Sequence, residues 1–325
     1  MKVWYDACTG KHTRYGSAIG KELCKRGHEF VFTTREHPDT LPLMKILGEE
    51  PVVVGKYNPS TLTSRIEESA ERVIEFAKLF EKNKPDVAVA HQSVELCRVA
   101  FGLGIPIILT ADTPHALAVN RLTIPFANAV VVSEALPKGF TKTYAAQRVV
   151  SFRGVDEVAW IKGFKPAKIK TKKPLIVLRQ IETKAAYAKD KMDSAKSLGE
   201  QLAELGEVHL LERYNIAGKQ FSEKPAFEDS ASLVANADLV ISYGGTISRE
   251  AALQGTPSIA VGDMAKTPVN TYTAKLGFPL YITKENKALQ LAKQHLGKKI
   301  DVTIKLAELE NPIDVIAKII DGLNQ

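Results

Sequence analysis

The sequence predicts an α/β protein made of two doubly wound parallel-sheet domains facing a central cleft, and three observations carry that prediction. Short apolar strands alternate with helical patterns through the first half, and the alternation restarts after the lysine-bearing stretch Gly163 to Pro174. In each half a glycine-containing turn joins a strand directly to a helix. Sheets of this kind bind ligands at the carboxyl ends of their strands, which places the expected site between the two halves.

The elements follow in order. Val3 to Tyr5 reads as the first strand, so no signal peptide is expected ahead of it. A helix is expected near Ser17 to Arg26 and a strand at Glu29 to Thr33. From Thr61 to Lys82 the residues Leu62, Ile66, Ala70, Val73, Ala77 and Phe80 recur at steps of three and four, which predicts a helix with that stripe in the core. Strands at Asp86 to Ala90, Pro106 to Thr110 and Ala129 to Ser133 enclose a helix at Val94 to Leu103. The second half repeats the scheme: strands at Leu175 to Leu178, Val208 to Leu211, Asp238 to Ile241 and Ser258 to Val261. Its helices are expected near Tyr187 to Leu205, Ser230 to Asn236, Thr246 to Gln254 and Asn270 to Leu276. Pro312 opens a last helix with Ile313, Ile316, Ile319 and Ile320 on one face. The predicted domains are therefore 1–165 and 174–310, with a C-terminal helix at 311–325 packing back on the first.

Composition sets outer limits. The chain has 325 residues, 45% of them hydrophobic, and no apolar run long enough to cross a bilayer. Its net charge of +7 is compatible with anionic small molecules, a membrane surface or nucleic acid. Part of that excess is local, since Lys162, Lys165, Lys168, Lys170, Lys172 and Lys173 crowd a segment that reads as a solvated linker. The cluster lacks interleaved aromatics apart from Phe164, so nucleic acid is not the expected partner. Cys8, Cys24 and Cys97 have no metal-binding spacing and read as reduced thiols of a cytoplasmic protein.

The most telling motif is Ile241-Ser-Tyr-Gly-Gly-Thr-Ile-Ser-Arg-Glu-Ala-Ala-Leu-Gln-Gly-Thr-Pro257. Gly244 and Gly245 let backbone N–H groups at a helix start approach a diphosphate, whose charge the helix dipole favours. Glu250, one turn later, can accept hydrogen bonds from ribose hydroxyls. Arg179 follows the first strand of the second half, where a cation can neutralise a leaving diphosphate. Arg213, with Tyr214 and Asn215, follows the next strand and could meet the base. Asp263 could hold donor-sugar hydroxyls.

The first half offers acid–base candidates. Gly10, in Asp6-Ala-Cys-Thr-Gly-Lys-His12, permits a tight turn. His12, near its ordinary pKa, could take a proton from an acceptor hydroxyl. His91-Gln-Ser93, Asp112-Thr-Pro-His115 and Glu134 each follow a predicted strand, which makes Asp112, His115 and Glu134 further catalytic candidates. His28 precedes a strand at the opposite edge and reads as structural.

These motifs together resemble the GT-B group, two-Rossmann-domain nucleotide-sugar glycosyltransferases and UDP-N-acetylglucosamine 2-epimerases. Thr9-Gly-Lys-His12 with Lys25-Arg-Gly-His-Glu-Phe30 looks like the amino-domain pattern, and Gly244-Gly-Thr with Glu250, Gly255 and Pro257 looks like the carboxy-domain one. Phe152-Arg-Gly-Val-Asp-Glu157, Val177-Leu-Arg179 and Ala186-Tyr187 look like signatures of DUF354, a largely archaeal family of this architecture. The resemblance implies a sugar donor, UDP-linked by preference, held at Gly10, Arg179, Arg213, Gly244, Gly245, Thr246, Glu250 and Asp263. It implies transfer to an unidentified acceptor, and no Asp-x-Asp metal motif occurs, so neither metal nor cofactor is expected. A lipid-linked acceptor would add peripheral contact with the inner membrane face through the basic surface. Epimerisation at carbon 2 is the alternative, although the epimerase histidine after the first strand of the second domain is here replaced by Val177-Leu-Arg-Gln180. Non-catalytic binding of a nucleotide sugar is the third reading.

Overall fold

The structure, a computed structural model, describes residues 1–171, 174–180, 197–211 and 229–324. Two compact units emerge, one formed by Met1–Trp160 with Glu310–Gln325 and the other by Ile161–Leu309.

The first unit is a seven-stranded parallel sheet in the order β3-β2-β1-β4-β5-β6-β7. Its strands are β1 (Lys2–Ala7), β2 (Glu29–Glu36), β3 (Val52–Lys56), β4 (Val87–His91), β5 (Ile107–Thr110), β6 (Ala129–Ser133) and β7 (Val149–Phe152). Between them run α1 (Gly10–Lys25), α2 (Thr40–Leu47), α3 (Leu62–Leu79), α4 (Val94–Gly102) and α5 (Leu117–Thr123), and α6 (Val158–Ile161) closes the stretch. Chain order reverses at β1 and β4, whose carboxyl ends therefore flank the opening where such sheets take ligands. β3 and β7 escaped the sequence pattern because they are the two edge strands and leave apolar residues exposed, Val52 and Val53 in one and Val149 in the other.

α1 starts earlier than its apolar periodicity suggests. Thr9 caps it, its side chain accepting from the His12 N–H at 3.4 Å, so Gly10, Lys11 and His12 form the first helical turn. Gly10 is thus a helix residue outside the positive-φ region, not the expected tight turn. Gly16 and Gly20 are the glycines that α1 needs, since a Cβ would lie 2.5 Å from the Tyr5 ring at the first and 2.5 Å from the Phe30 ring at the second.

α3 follows the expected stripe only in its second half, where Phe80 is buried and Val73 and Ala77 are half-buried. Leu62 and Ile66 are 76% and 71% exposed, whereas the helix buries Arg72 and Phe76. The reason is polar: Arg72 reaches under the sheet to Asp6 at 2.8 Å, and that bond together with the Phe76 contact to Trp4 sets which face turns inward. The last helix, α12 (Pro312–Asp321), buries Ile313, Ile316, Ile319 and Ile320 among Val3, Tyr15 and Ile19 of the first unit. Its other end ties His28 Nε2 to Asp321 Oδ1 at 3.2 Å.

The second unit is a five-stranded parallel sheet in the order β12-β11-β10-β8-β9, with β8 (Leu175–Arg179), β9 (Glu207–Leu211), β10 (Leu239–Ser242), β11 (Ser258–Val261) and β12 (Leu280–Thr283). Its helices include α7 (Ser230–Asn236), α8 (Thr246–Leu253), α9 (Pro268–Lys275), α10 (Ala288–His295) and α11 (Thr303–Glu308). Of the helix expected near Tyr187 to Leu205, only 197–202 is helical within the described residues; Ala186, Tyr187 and Arg213 to Asn215 lie outside them, as do Lys172 and Lys173.

The expected linker belongs largely to this unit. Ala167 N–H donates to Ser232 Oγ at 3.0 Å, Ile169 N–H to Asn236 Oδ1 at 3.2 Å, and Asn236 Nδ2 returns a bond to the Ala167 carbonyl at 2.7 Å. These bonds move the unit boundary back to Trp160 and Ile161, while Lys165, Lys168 and Lys170 stay exposed.

Candidate functional site

In the first unit, strand ends and the start of α1 converge on one charged centre. Lys11 Nζ donates to Asp112 Oδ2 at 2.5 Å and to Asp156 Oδ2 at 2.8 Å, with Glu157 Oε1 4.0 Å away. His91, the last residue of β4, places Nε2 3.5 Å from Asp112 Oδ1 and Nδ1 2.7 Å from Thr110 Oγ1. The ligand atoms of His91, Asp112 and Asp156 all lie within 4.8 Å of one another. Two carboxylates at that separation repel by about 3 kcal/mol at an effective dielectric of ~20, and Lys11 offsets that repulsion. Thr113 Oγ1 also donates to Asp112 Oδ1, at 2.7 Å.

His12 stands beside this group, its ring 5.0 Å from that of His91 in an edge-on arrangement. Burial, reinforced by His91 and Lys11, holds its pKa well below 6.5, so the expected near-ordinary titration does not occur. Its Nδ1 accepts the Cys8 N–H at 3.4 Å. With Nδ1 engaged by that N–H, the neutral ring carries its proton on Nε2 and offers a hydrogen-bond donor there. The other catalytic candidates separate: Asp112 is in the centre, whereas His115 and Glu134 are exposed.

A second polar network lies beneath. Asp6 is fully buried and accepts from Arg72 Nη2 at 2.8 Å, Thr33 Oγ1 at 2.9 Å and Ser93 Oγ at 2.6 Å. Arg72 also reaches Glu95 at 3.3 Å and the Val54 carbonyl at 2.9 Å. Burial and the adjacent Asp6 push the Cys8 thiol up to about 12. This network holds the end of β1 from which Lys11 and His12 project.

Sequence reasoning missed Lys11, Asp156 and Glu157 as site residues, though it quoted each within a motif. Asp156 and Glu157 follow β7, an edge strand whose half-exposed residues give no buried pattern, so their strand-end placement had no local signal. Lys11 was read as part of a turn.

In the second unit the glycine turn lies at the sheet's reversal point, between β8 and β10. Ser242 pairs with Arg179, and Tyr243 N–H donates to the Arg179 carbonyl at 3.3 Å, so Arg179 stands beside the turn. Gly245 caps α8 without any side-chain bond to its first N–H groups, which suits an anion. Gly244 uses its own N–H on Ser242 Oγ at 2.9 Å, and a Cβ there would meet nothing nearer than that oxygen at 3.7 Å. Gly245 is more constrained: a Cβ would lie 2.5 Å from Arg249 Nη1, which donates to Asn270 Oδ1 at 2.8 Å. Arg249, unremarked in the sequence, braces the turn from below.

Glu250 is 2% exposed and accepts from Ser230 Oγ at 3.0 Å through one of its two carboxylate oxygens. The Gly255-x-Pro257 spacing has a folding cause. Gly255 ends α8 at φ +79°, and a Cβ there would lie 2.1 Å from the Ile300 carbonyl oxygen. Asp263 is exposed in a single 3₁₀ turn after Gly262.

Two parallel-sheet units with polar groups at their reversal points define the GT-B architecture, and solved structures of that class match. Spinosyn forosaminyltransferase is 14% identical and covers 100% of both chains with a TM-score of 0.63. A UDP-N-acetylglucosamine 2-epimerase is 16% identical over 96% of this chain and 91% of its own, with a TM-score of 0.64. Spinosyn rhamnosyltransferase, solved with thymidine diphosphate, is 13% identical over 98% and 100%, with a TM-score of 0.59. The chain belongs to the DUF354 family, described as a protein of unknown function, which it matches over residues 1–323. An uncharacterized protein of Methanocaldococcus jannaschii is 29% identical over 97% of this chain and 96% of its own length. Among the described residues no helix is long and apolar enough to cross a membrane.

Proposed function

We propose that the protein is a metal-independent glycosyltransferase that takes its sugar from a nucleoside diphosphate, UDP by preference. The observation that carries this reading is the start of α8, a helix terminus with no side-chain cap, next to Arg179 at the sheet's reversal point. Gly244, Gly245 and Thr246 bind the diphosphate, Arg179 neutralises the leaving group, Glu250 meets the ribose and Asp263 the sugar hydroxyls. Arg213, outside the described residues, is the candidate for contact with the base in this reading. In the first unit Asp112 accepts the proton of the acceptor hydroxyl, since its side chain is 13% exposed against 4% for Asp156, and His12 donates a hydrogen bond through Nε2. A thermal-shift screen of UDP, GDP, TDP and CDP sugars tests the donor half: stabilisation by one class supports the reading, and none by any removes it.

One observation favours the epimerase alternative. Asp112, Asp156 and Glu157 surround Lys11, and abstraction at carbon 2 of a sugar uses such a set of carboxylates. Incubation with UDP-N-acetylglucosamine in deuterated water separates the two, because only epimerisation places deuterium at carbon 2. Tight nucleotide binding with neither activity toward any acceptor would leave the non-catalytic binder.

A further inference from the structure

Lys11 sits where a metal ion would. His91, Asp112 and Asp156 each offer one ligand atom to a common region, and those atoms lie within 4.8 Å of one another. Opposed ligands on a divalent cation stand about 4 to 5 Å apart, each bond being roughly 2.0 to 2.5 Å. One imidazole with two carboxylates is a donor set that manganese, iron and zinc accept.

In this chain a cation already occupies the place. Lys11 Nζ lies 2.5 Å from one carboxylate and 2.8 Å from the other, within reach of both at once. A second observation concerns the surrounding shell. Tyr15 is fully buried with its ring 5.8 Å from that of His91, and its hydroxyl has no hydrogen-bond partner. The protein therefore leaves a buried hydroxyl unmet on a residue whose ring packs against His91.

We infer that Lys11 is a tethered cation filling a latent divalent-metal site formed by His91, Asp112 and Asp156. The first unit holds its two carboxylates side by side with an ammonium in place of a metal ion. Residue 11 therefore decides whether metal enters. This inference stands apart from the glycosyltransferase reading, because it concerns what the centre binds with no sugar present.

The test is Mn²⁺ titration followed by electron paramagnetic resonance, on wild type, Lys11→Ala, Lys11→Arg and Lys11→Ala/Asp156→Asn. Lys11→Ala is expected to bind one Mn²⁺ at least tenfold more tightly than wild type, Lys11→Arg to resemble wild type, and the double variant to lose the gain. Equal affinity in wild type and Lys11→Ala overturns the inference, as does a gain that survives Asp156→Asn. Should Lys11→Ala fail to fold without metal, refolding with and without Mn²⁺ decides: recovery only with metal supports the inference, and none with metal overturns it.

Discussion

Lys11 and Asp112 are 101 residues apart in the chain and meet at 2.5 Å, one from the first turn of α1 and the other from just beyond β5. The pair joins the two sides of the sheet's reversal point and, through Asp156, a third segment.

Removing that cation should be costly. Lys11→Met leaves Asp112 and Asp156 facing each other in a mostly buried setting, and we expect a loss of about 2 to 4 kcal/mol in urea unfolding. A change below about 0.5 kcal/mol would show that the bridge contributes nothing.

The two glycines of the α8 turn should respond differently. Gly245→Ala pushes against Arg249 and is expected to destabilise by about 1 to 3 kcal/mol. Gly244→Ala meets only Ser242 Oγ at 3.7 Å and should leave the melting temperature nearly unchanged while weakening nucleotide binding several-fold. Unaltered binding in Gly244→Ala would remove the turn from the donor site.

His12 predicts a pH dependence with a definite sign. Its folded pKa lies well below 6.5, so the unfolded chain takes up the proton first. Its contribution is whole above about pH 6.5 and falls by about 1.4 kcal/mol per pH unit below that, until the folded ring also titrates. Comparing His12→Gln with wild type between pH 7 and 5 should show a flatter profile in the variant; parallel profiles would refute the assignment.

Arg72 should be indispensable to the fold. Arg72→Met strands the buried Asp6 carboxylate, and a loss of about 3 to 5 kcal/mol is expected in the same unfolding experiment. Changing Asp6 to Asn alongside it should recover part of that loss.

Thiol reactivity offers a direct probe of burial. Cys24 is exposed, whereas Cys8 and Cys97 are buried, with burial raising both thiols. Ellman's reagent should titrate one thiol quickly and the others only on unfolding.

Local pattern was enough for much of the fold. Strands such as Ala129–Ser133 and helices such as Pro312–Asp321 announce themselves because burial imposes a period on the sequence. The α3 stripe held in its second half, where Phe80 is buried and Val73 and Ala77 are half-buried, while Leu62 and Ile66 at its start are exposed because the helix is anchored to the sheet by Arg72 bonding to Asp6 and by Phe76. The Gly244-Gly245 turn was legible because glycine before a helix has a local cause.

The α/β class, the glycine turn before α8 and the place of Asp112 just after a strand are all legible from short-range pattern. That Lys11 bridges Asp112 and Asp156, that His12 is buried against His91 and that Glu250 accepts from Ser230 came from the packing of distant segments. The Glu250 and Lys11 contacts join residues 20 to 145 positions apart. Charge balance and burial at such contacts are set by the packing of the sheet, to which no local pattern refers.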